Sequence, residues 1–377
     1  MRIVQELWSR DGVSRPVDQG TTAPQLVLAF GAPHILRAPE TWAALKQRFP
    51  TAAVVGSSTA GEICQSSVLD DCLVATAIEL ERSSARAVRL RVPSPSDSAS
   101  VGRALARELD QPGLTHVFVL SDGLRVNGSE LVRGFTEHLP PGVGLTGGLS
   151  ADGARFEHTH VCVGAFNPEP SVVAIGFYGS ALRFGCGSLG GWDPFGPERV
   201  VTRSKGNVVS EFDGQPALDL YERYLGEHAA GLPASGLLFP LTVRQHRDER
   251  GVVRTILAVD KVARSLTFAG DVPIGHYARF MRANFDRLVD GAVGAARTSF
   301  EALDATEPDL ALLVSCVGRK LVLKQRVEEE VEGVRRILGP STPFAGFYSY
   351  GEISPFEPSA RCELHNQTMT VTTLREA

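Results

Sequence analysis

No run of about 18 consecutive apolar residues occurs in this 377-residue chain, so no segment reads as a membrane-spanning helix. Basic clusters are missing too. The formal charge is −5 and no Lys/Arg stretch forms a basic face, which excludes a nucleic-acid partner. There is no G-x-x-x-x-G-K-[ST], hence no P-loop nucleotide site. Cys-x-x-Cys is also absent. The six cysteines (Cys64, Cys72, Cys162, Cys186, Cys316 and Cys362) are scattered, mostly in apolar runs, and read as reduced thiols. The opening MRIVQELWSRDG has no apolar core, so no secretory leader is expected. Together these absences point to a cytoplasmic protein.

An apolar share of 43% with 21% charged residues suits a globular chain, and the length fits two domains. Short β-branched runs predict strands at 25–30, 52–56, 73–80, 85–92 and 116–120. Helical patterns at 40–48, 98–109 and 129–138 alternate with them, with Ser98 as N-cap of the second. The runs 161–166 and 172–178 read as a strand pair joined by NPEP. From 185 to 214 the texture changes: GCGSLGGWDPFGPERVV is dense in Gly and Pro, which argues against a long element there, and GNVVSEF after it reads as a strand before a turn at Asp213-Gly214. A helix should begin at Pro216, near the domain boundary, followed by strands at 253–259, 265–268 and 310–317. Further helices are expected at 278–303 and 327–338, then a terminal strand in CELHNQTMTVTTL. The expected class is mixed α/β, with two related lobes of largely antiparallel sheets flanked by helices.

Two G-x-G-x-x-G matches, GVGLTG and GCGSLG, lack the strand-then-helix context of a dinucleotide fingerprint and are rejected. His158, His160 and Cys162 alternate along HTHVC, but a fourth ligand is not visible, so no metal is expected. Cys64 and Cys316 have no spaced His or Asp partner and read as structural thiols.

A repeated phrase remains. VVGSSTAGEI (54–63) and FAGFYSYGEI (344–353) both run from an apolar residue and Gly to Gly-Glu-Ile. A strand entering a Gly-rich turn frees backbone amides for an anion, and Ser57, Ser58 and Thr59 add hydroxyls. Glu62 and Glu352 are acceptors for an ammonium, and Tyr348 and Tyr350 an apolar wall with polar tips. The two phrases are therefore expected to converge on one polar hollow. Arg319 is a natural carboxylate clamp, because a guanidinium forks onto two oxygens.

GSSTAGEI, GGLSADGARF, FGPERVVTRSKGNVVSEFDGQPALDLYERYL, DVPIGHYARFM, LLVSCVGRK, PFAGFYSYGEISP and LHNQTM, in this order, resemble FIST (F-box and intracellular signal transduction) proteins over about residues 25 to 370. The resemblance implies an N-terminal extension at 1–24, a FIST N-terminal domain at 25–215, a FIST C-terminal domain at 216–370 and a tail at 371–377. It implies a stand-alone sensory unit that binds a small metabolite, with amino acids as the proposed class. A histidine kinase, chemoreceptor or cyclic-nucleotide enzyme would be its partner in trans. Family motifs add Gly147, Gly148 and Asp152 to the candidate ligand residues. Some members bind haem and respond to nitric oxide. That alternative would need an axial ligand, with His276, His160 and His365 as candidates. A cysteine-dependent enzyme using Cys316 or Cys64 is the other alternative.

Overall fold

The computed structural model describes residues 1–9, 14–17, 23–249, 251–356 and 360–377. Its class is α/β, with mixed sheets flanked by helices. The internal repeat, expected to be twofold, is written three times. Each unit holds a parallel strand pair linked by helices. Leu26–Gly31 pairs with Ala53–Ser58, Leu114–Ser121 with Gly144–Leu149, and Leu310–Cys316 with Phe344–Ser349. An antiparallel strand (Leu73–Glu79, Ser171–Tyr178 or Met369–Glu376) flanks the first member of each pair. Beyond it lies a fourth strand: Arg2–Trp8, Ser84–Arg91 or Leu182–Leu189.

Each unit then lends one antiparallel strand to a neighbour. Glu62–Cys64 of the first unit joins the third sheet, beside Phe344–Ser349. Gly351–Pro355 of the third joins the second, beside Gly144–Leu149. Val161–Val163 of the second joins the first, beside Ala53–Ser58. The exchange is cyclic, so the three sheets form one body. Their inward faces share a core in which Leu28 and Phe30, Phe118 and Ile175, and Val314 and Phe347 meet. Phe30 and Phe347, from different units, have ring centroids 4.7 Å apart. Helices cover the outside, as the apolar stripe of Ser98–Leu109 requires, with Leu105, Ala106 and Leu109 buried.

Between Leu182–Leu189 and the helix Phe285–Glu301, the third unit carries an insertion, an antiparallel eight-stranded sheet from Asp193 to Arg282. It has its own core around Phe212, Tyr221, Phe268 and Phe280, and the helix Ala217–Leu225 packs on it. Strands on both sides of residue 216 share this sheet.

Several local expectations are corrected. The Gly-rich 185–214 region contains two long strands, Leu182–Leu189 and Asp193–Lys205. Gly185 and Gly187 let the first lie against the backbone of Phe285–Glu301, where a Cβ would run into Ser299 O and Ala295 O. The helix expected from 278 starts at Phe285, capped by Asn284, and Tyr277–Arg282 before it is a strand. Asp97 rather than Ser98 is the N-cap; the Ser98 hydroxyl instead accepts from Asn127 N. The runs at 161 and 172 sit in different sheets, because the first is the strand lent away. The terminal stretch is likewise two strands in different sheets, Cys362–His365 and Met369–Glu376. The 253–259 strand divides into Val252–Arg254 and Ile256–Asp260. Of the expected 1–24 extension, Arg2–Trp8 is a strand of the first sheet, and residues 10–13 and 18–22 lie outside the described residues. Among the described residues no helix is long and apolar enough to cross a membrane.

Candidate functional site

The repeated phrase forms the turns at the ends of the second parallel strands, and these turns meet. Ala60 N donates to Tyr348 O (2.9 Å), Tyr350 N to Leu149 O (3.2 Å) and Ala151 N to Ser58 O (2.9 Å), a closed ring with one bond per unit. It sets Ser58, Leu149 and Tyr348 as equivalents, and with them Gly56, Gly147 and Gly346. A Cβ at Gly147 or Gly346 would strike the carbonyl of the paired strand, Val119 O or Leu313 O, so the glycine is needed for that close approach. The third copy of the phrase is therefore LTGGLSADGA, in which Gly153 stands where the others have Glu62 and Glu352.

The turns are sealed. Glu62 is 1% exposed and accepts from Thr59 Oγ1 and from Cys72 Sγ (3.3 Å). Glu352 is fully buried and accepts from Ser349 Oγ (2.6 Å), Thr368 N (3.1 Å) and Thr368 Oγ1 (2.9 Å). Burial pushes each carboxyl up to about 8, so both are protonated at neutral pH and offer no charge to an ammonium. They hang on different sheets with separate partners, Glu62 opposite Phe347 and Glu352 opposite Gly148. The expected shared open hollow is replaced by a packed polar hub.

The other residues expected at the site are also engaged in the fold. Ser57 Oγ and Ser150 Oγ are 2.7 Å apart, and Ser58 Oγ accepts from His160 N (2.9 Å). Asp152 accepts from the amides of Phe156, Glu157 and His158 and from Tyr350 Oη. Tyr348 Oη donates to Glu330 (2.7 Å). Arg319 is fully buried in an ion pair with Glu330 (2.7 Å) and also donates to Gly190 O and Leu288 O, so its fork is filled from within.

An open cleft lies elsewhere, where the threefold body meets the inserted sheet. A cleft of about 310 Å³ runs between the helix Gly128–Thr136 and strand Cys362–His365 on one side and the strands Leu241–Arg244 and Val252–Arg254 on the other. Val132, Val243, Val252 and Leu364 give it apolar wall. Arg133 and Arg244 line it but are already paired, with Glu130 and Glu137 and with Glu198 respectively.

Arg254 differs from them. It is 6% exposed, and among the described residues no carboxylate forms an ion pair with it. Its Nε donates to Asp271 O (3.0 Å), and its Nη1 donates to Leu364 O (2.8 Å) and Val253 O (3.2 Å). These partners are neutral carbonyls, and among the described residues none takes a hydrogen bond from Nη2. Burial lowers the guanidinium to about 10, opposed by the carboxylates of Glu363 and Asp271, which line the same cleft. The cleft thus offers one buried cation that, among the described residues, has no direct ion pair, with the acids Asp271 and Glu363 nearby. Sequence reasoning missed Arg254. Its only signal was a charge interrupting the apolar run VVRTIL.

His276 also lines this cleft. His160 Nε2 accepts from Arg37 Nε (2.9 Å), and His365 Nε2 bonds Ser354 O (2.7 Å). A porphyrin needs a flat apolar slot beside an axial nitrogen. The arginine- and acid-lined walls at His276 do not supply one, and the other two rings are engaged, so these residues do not fit haem. Among the described residues no group of three His, Cys, Asp or Glu side chains is placed to hold a metal ion. Cys316 is 2% exposed, and burial pushes its thiol well above the usual range, the reverse of an activated nucleophile.

Fold and cleft together define a two-body α/β protein with a polar cleft at the junction. Residues 25–215 match the FIST N domain and residues 217–355 the FIST C domain. The chain belongs to the FIST family, whose domains are sensory domains of signal transduction proteins. No curated protein matches it. Among solved structures, a cyanuric acid hydrolase from A. caulinodans is similar at 13% identity, over 78% of this chain and 99% of that one, with a TM-score of 0.19. A likeness that small bears on neither fold nor chemistry.

Proposed function

We propose that this FIST protein is a cytoplasmic sensor that takes a small carboxylate-bearing metabolite, an amino acid, into the cleft between its threefold body and its inserted sheet. It then signals to a separate partner, such as a histidine kinase, a chemoreceptor or a cyclic-nucleotide enzyme. One observation carries the reading: Arg254 is buried, its hydrogen-bond partners among the described residues are all carbonyls, and Nη2 is left for the cleft. Asp271 and Glu363 oppose the cost of burying this charge without pairing with it directly, and a ligand carboxylate would supply a direct, charge-assisted partner. Asp271 and Glu363 beside it are acceptors for an ammonium, and the valines and Leu364 are contact surface for an aliphatic portion. Clefts between bodies are favoured ligand sites, and this volume suits a small molecule.

Isothermal titration across the protein amino acids tests this. Binding should appear for at least one, and Arg254→Gln should weaken it about tenfold to a hundredfold, the worth of a charge-assisted hydrogen bond. Absence of heat for every amino acid removes the amino-acid reading. Unchanged affinity in Arg254→Gln moves the ligand out of this cleft.

A further inference from the structure

Arg254 does more than line the cleft. Its three hydrogen bonds reach the inserted sheet (Val253 O), the loop after strand Ser265–Phe268 (Asp271 O) and the threefold body (Leu364 O). One guanidinium therefore fastens both bodies. Asp271 adds a second fastening, at the start of the helix Gly128–Thr136. Its backbone N donates to Ser129 Oγ (3.2 Å), and its Oδ1 accepts from Nδ2 of Asn127, that helix's N-cap (3.0 Å).

The body side of this joint is a short segment, Leu364 to Thr368, and it has two faces. Toward the inserted sheet, Leu364 O accepts from Arg254, and Gln367 Nε2 donates to Leu237 O (2.9 Å) and Thr255 Oγ1 (3.2 Å). Toward the hub, Asn366 Nδ2 donates to Tyr350 O (3.2 Å), and Thr368 N and Oγ1 both donate to Glu352. A single layer of chain thus separates the cleft from the Gly-Glu turn of the third unit, at Tyr350–Glu352. Through the ring of backbone bonds that turn is tied to the other two units.

We infer that an anion bound in the cleft clamps the inserted sheet onto the threefold body through Arg254, and that Leu364–Thr368 is the element through which the hub receives this clamping. The inference rests on the reading of the cleft as the ligand site. An anion on Nη2 compensates the charge of a guanidinium whose other bonds span the joint, so it favours the arrangement in which those bonds are made. Ligand and docking are then linked, and each strengthens the other by the same factor. On this account the Gly-Glu phrase responds to the ligand without touching it.

Hydrogen–deuterium exchange on the full chain, with and without an excess of an equimolar mixture of the protein amino acids, tests the coupling. In the wild type the amides of 269–272 and 362–368 should slow by about fivefold or more, the lower range of typical coupling energies. In Arg254→Gln the mixture should leave both segments unchanged. Ser129→Ala keeps Arg254 and removes one of the two bonds of the second fastening, the one from Asp271 N. It should speed exchange at 269–272 without ligand, and it serves if Arg254→Gln does not fold. Binding heat in calorimetry with no slowing at these segments overturns the coupling and leaves the cleft reading intact. Neither heat nor slowing overturns both. Slowing spread evenly over core strands such as Leu26–Gly31 also overturns it, because that is global stabilisation rather than a clamp at the joint.

Discussion

Replacing Glu62 and Glu352 together by Gln should abolish a large loss of stability at rising pH. Burial holds each carboxyl at about 8, against 4.5 for the unperturbed group. Between these values the unfolded chain releases both protons and the folded chain keeps them. The folded state then binds more protons, so stability falls as pH rises through the window. The contribution is intact below 4.5 and fully lost above about 8. From pH 5.5 to 7.5 each carboxyl costs about 3 kcal/mol, two pH units at about 1.4 kcal/mol each, so the pair costs about 6 kcal/mol. That is a large part of the 5–15 kcal/mol or so that holds a typical domain together.

Glutamine keeps the shape and cannot ionise. At position 352 its oxygen can take the Thr368 donors, while its amide faces Ser349 Oγ, a hydroxyl that accepts as well as donates. Urea midpoints at several pH values, for wild type and double variant, are the assay. The wild type should weaken toward pH 7.5, and the difference between the two proteins should shrink or reverse in the variant's favour. Parallel pH profiles would refute the assignment of these carboxyls as buried neutral groups. They would also restore the two glutamates as candidates for a charged contact.

Arg319→Met should cost about 3–5 kcal/mol of stability, seen as a lower urea midpoint, because it leaves Glu330 buried without its cation. Ligand affinity should hold, and a loss of affinity at full stability would return Arg319 to the binding site. Iodoacetamide should label Cys316 far more slowly in the native protein than in urea, since the thiol is buried and held protonated. Rapid native labelling at neutral pH would revive the cysteine-enzyme alternative.

Period and punctuation alone determined much of the fold. The charge-patterned run 327–338 is the helix Val327–Leu338, and the β-branched runs at 73 and 116 are strands, because these elements draw on neighbours within a few residues. The ordered motifs also carried the family. Tertiary structure alone decided the number of repeats. Gly153 stands where Glu62 and Glu352 stand, so the copy in the second unit hides until its backbone closes the ring through Ala151 and Leu149. It also decided which arginine is balanced. Arg319 and Arg254 look alike in sequence, each a cation in or beside an apolar run. One meets a glutamate eleven positions on, and the other only carbonyls from residues 253, 271 and 364. Compensation of a buried charge depends on what folding places within a few ångströms of it, and sequence distance does not set that.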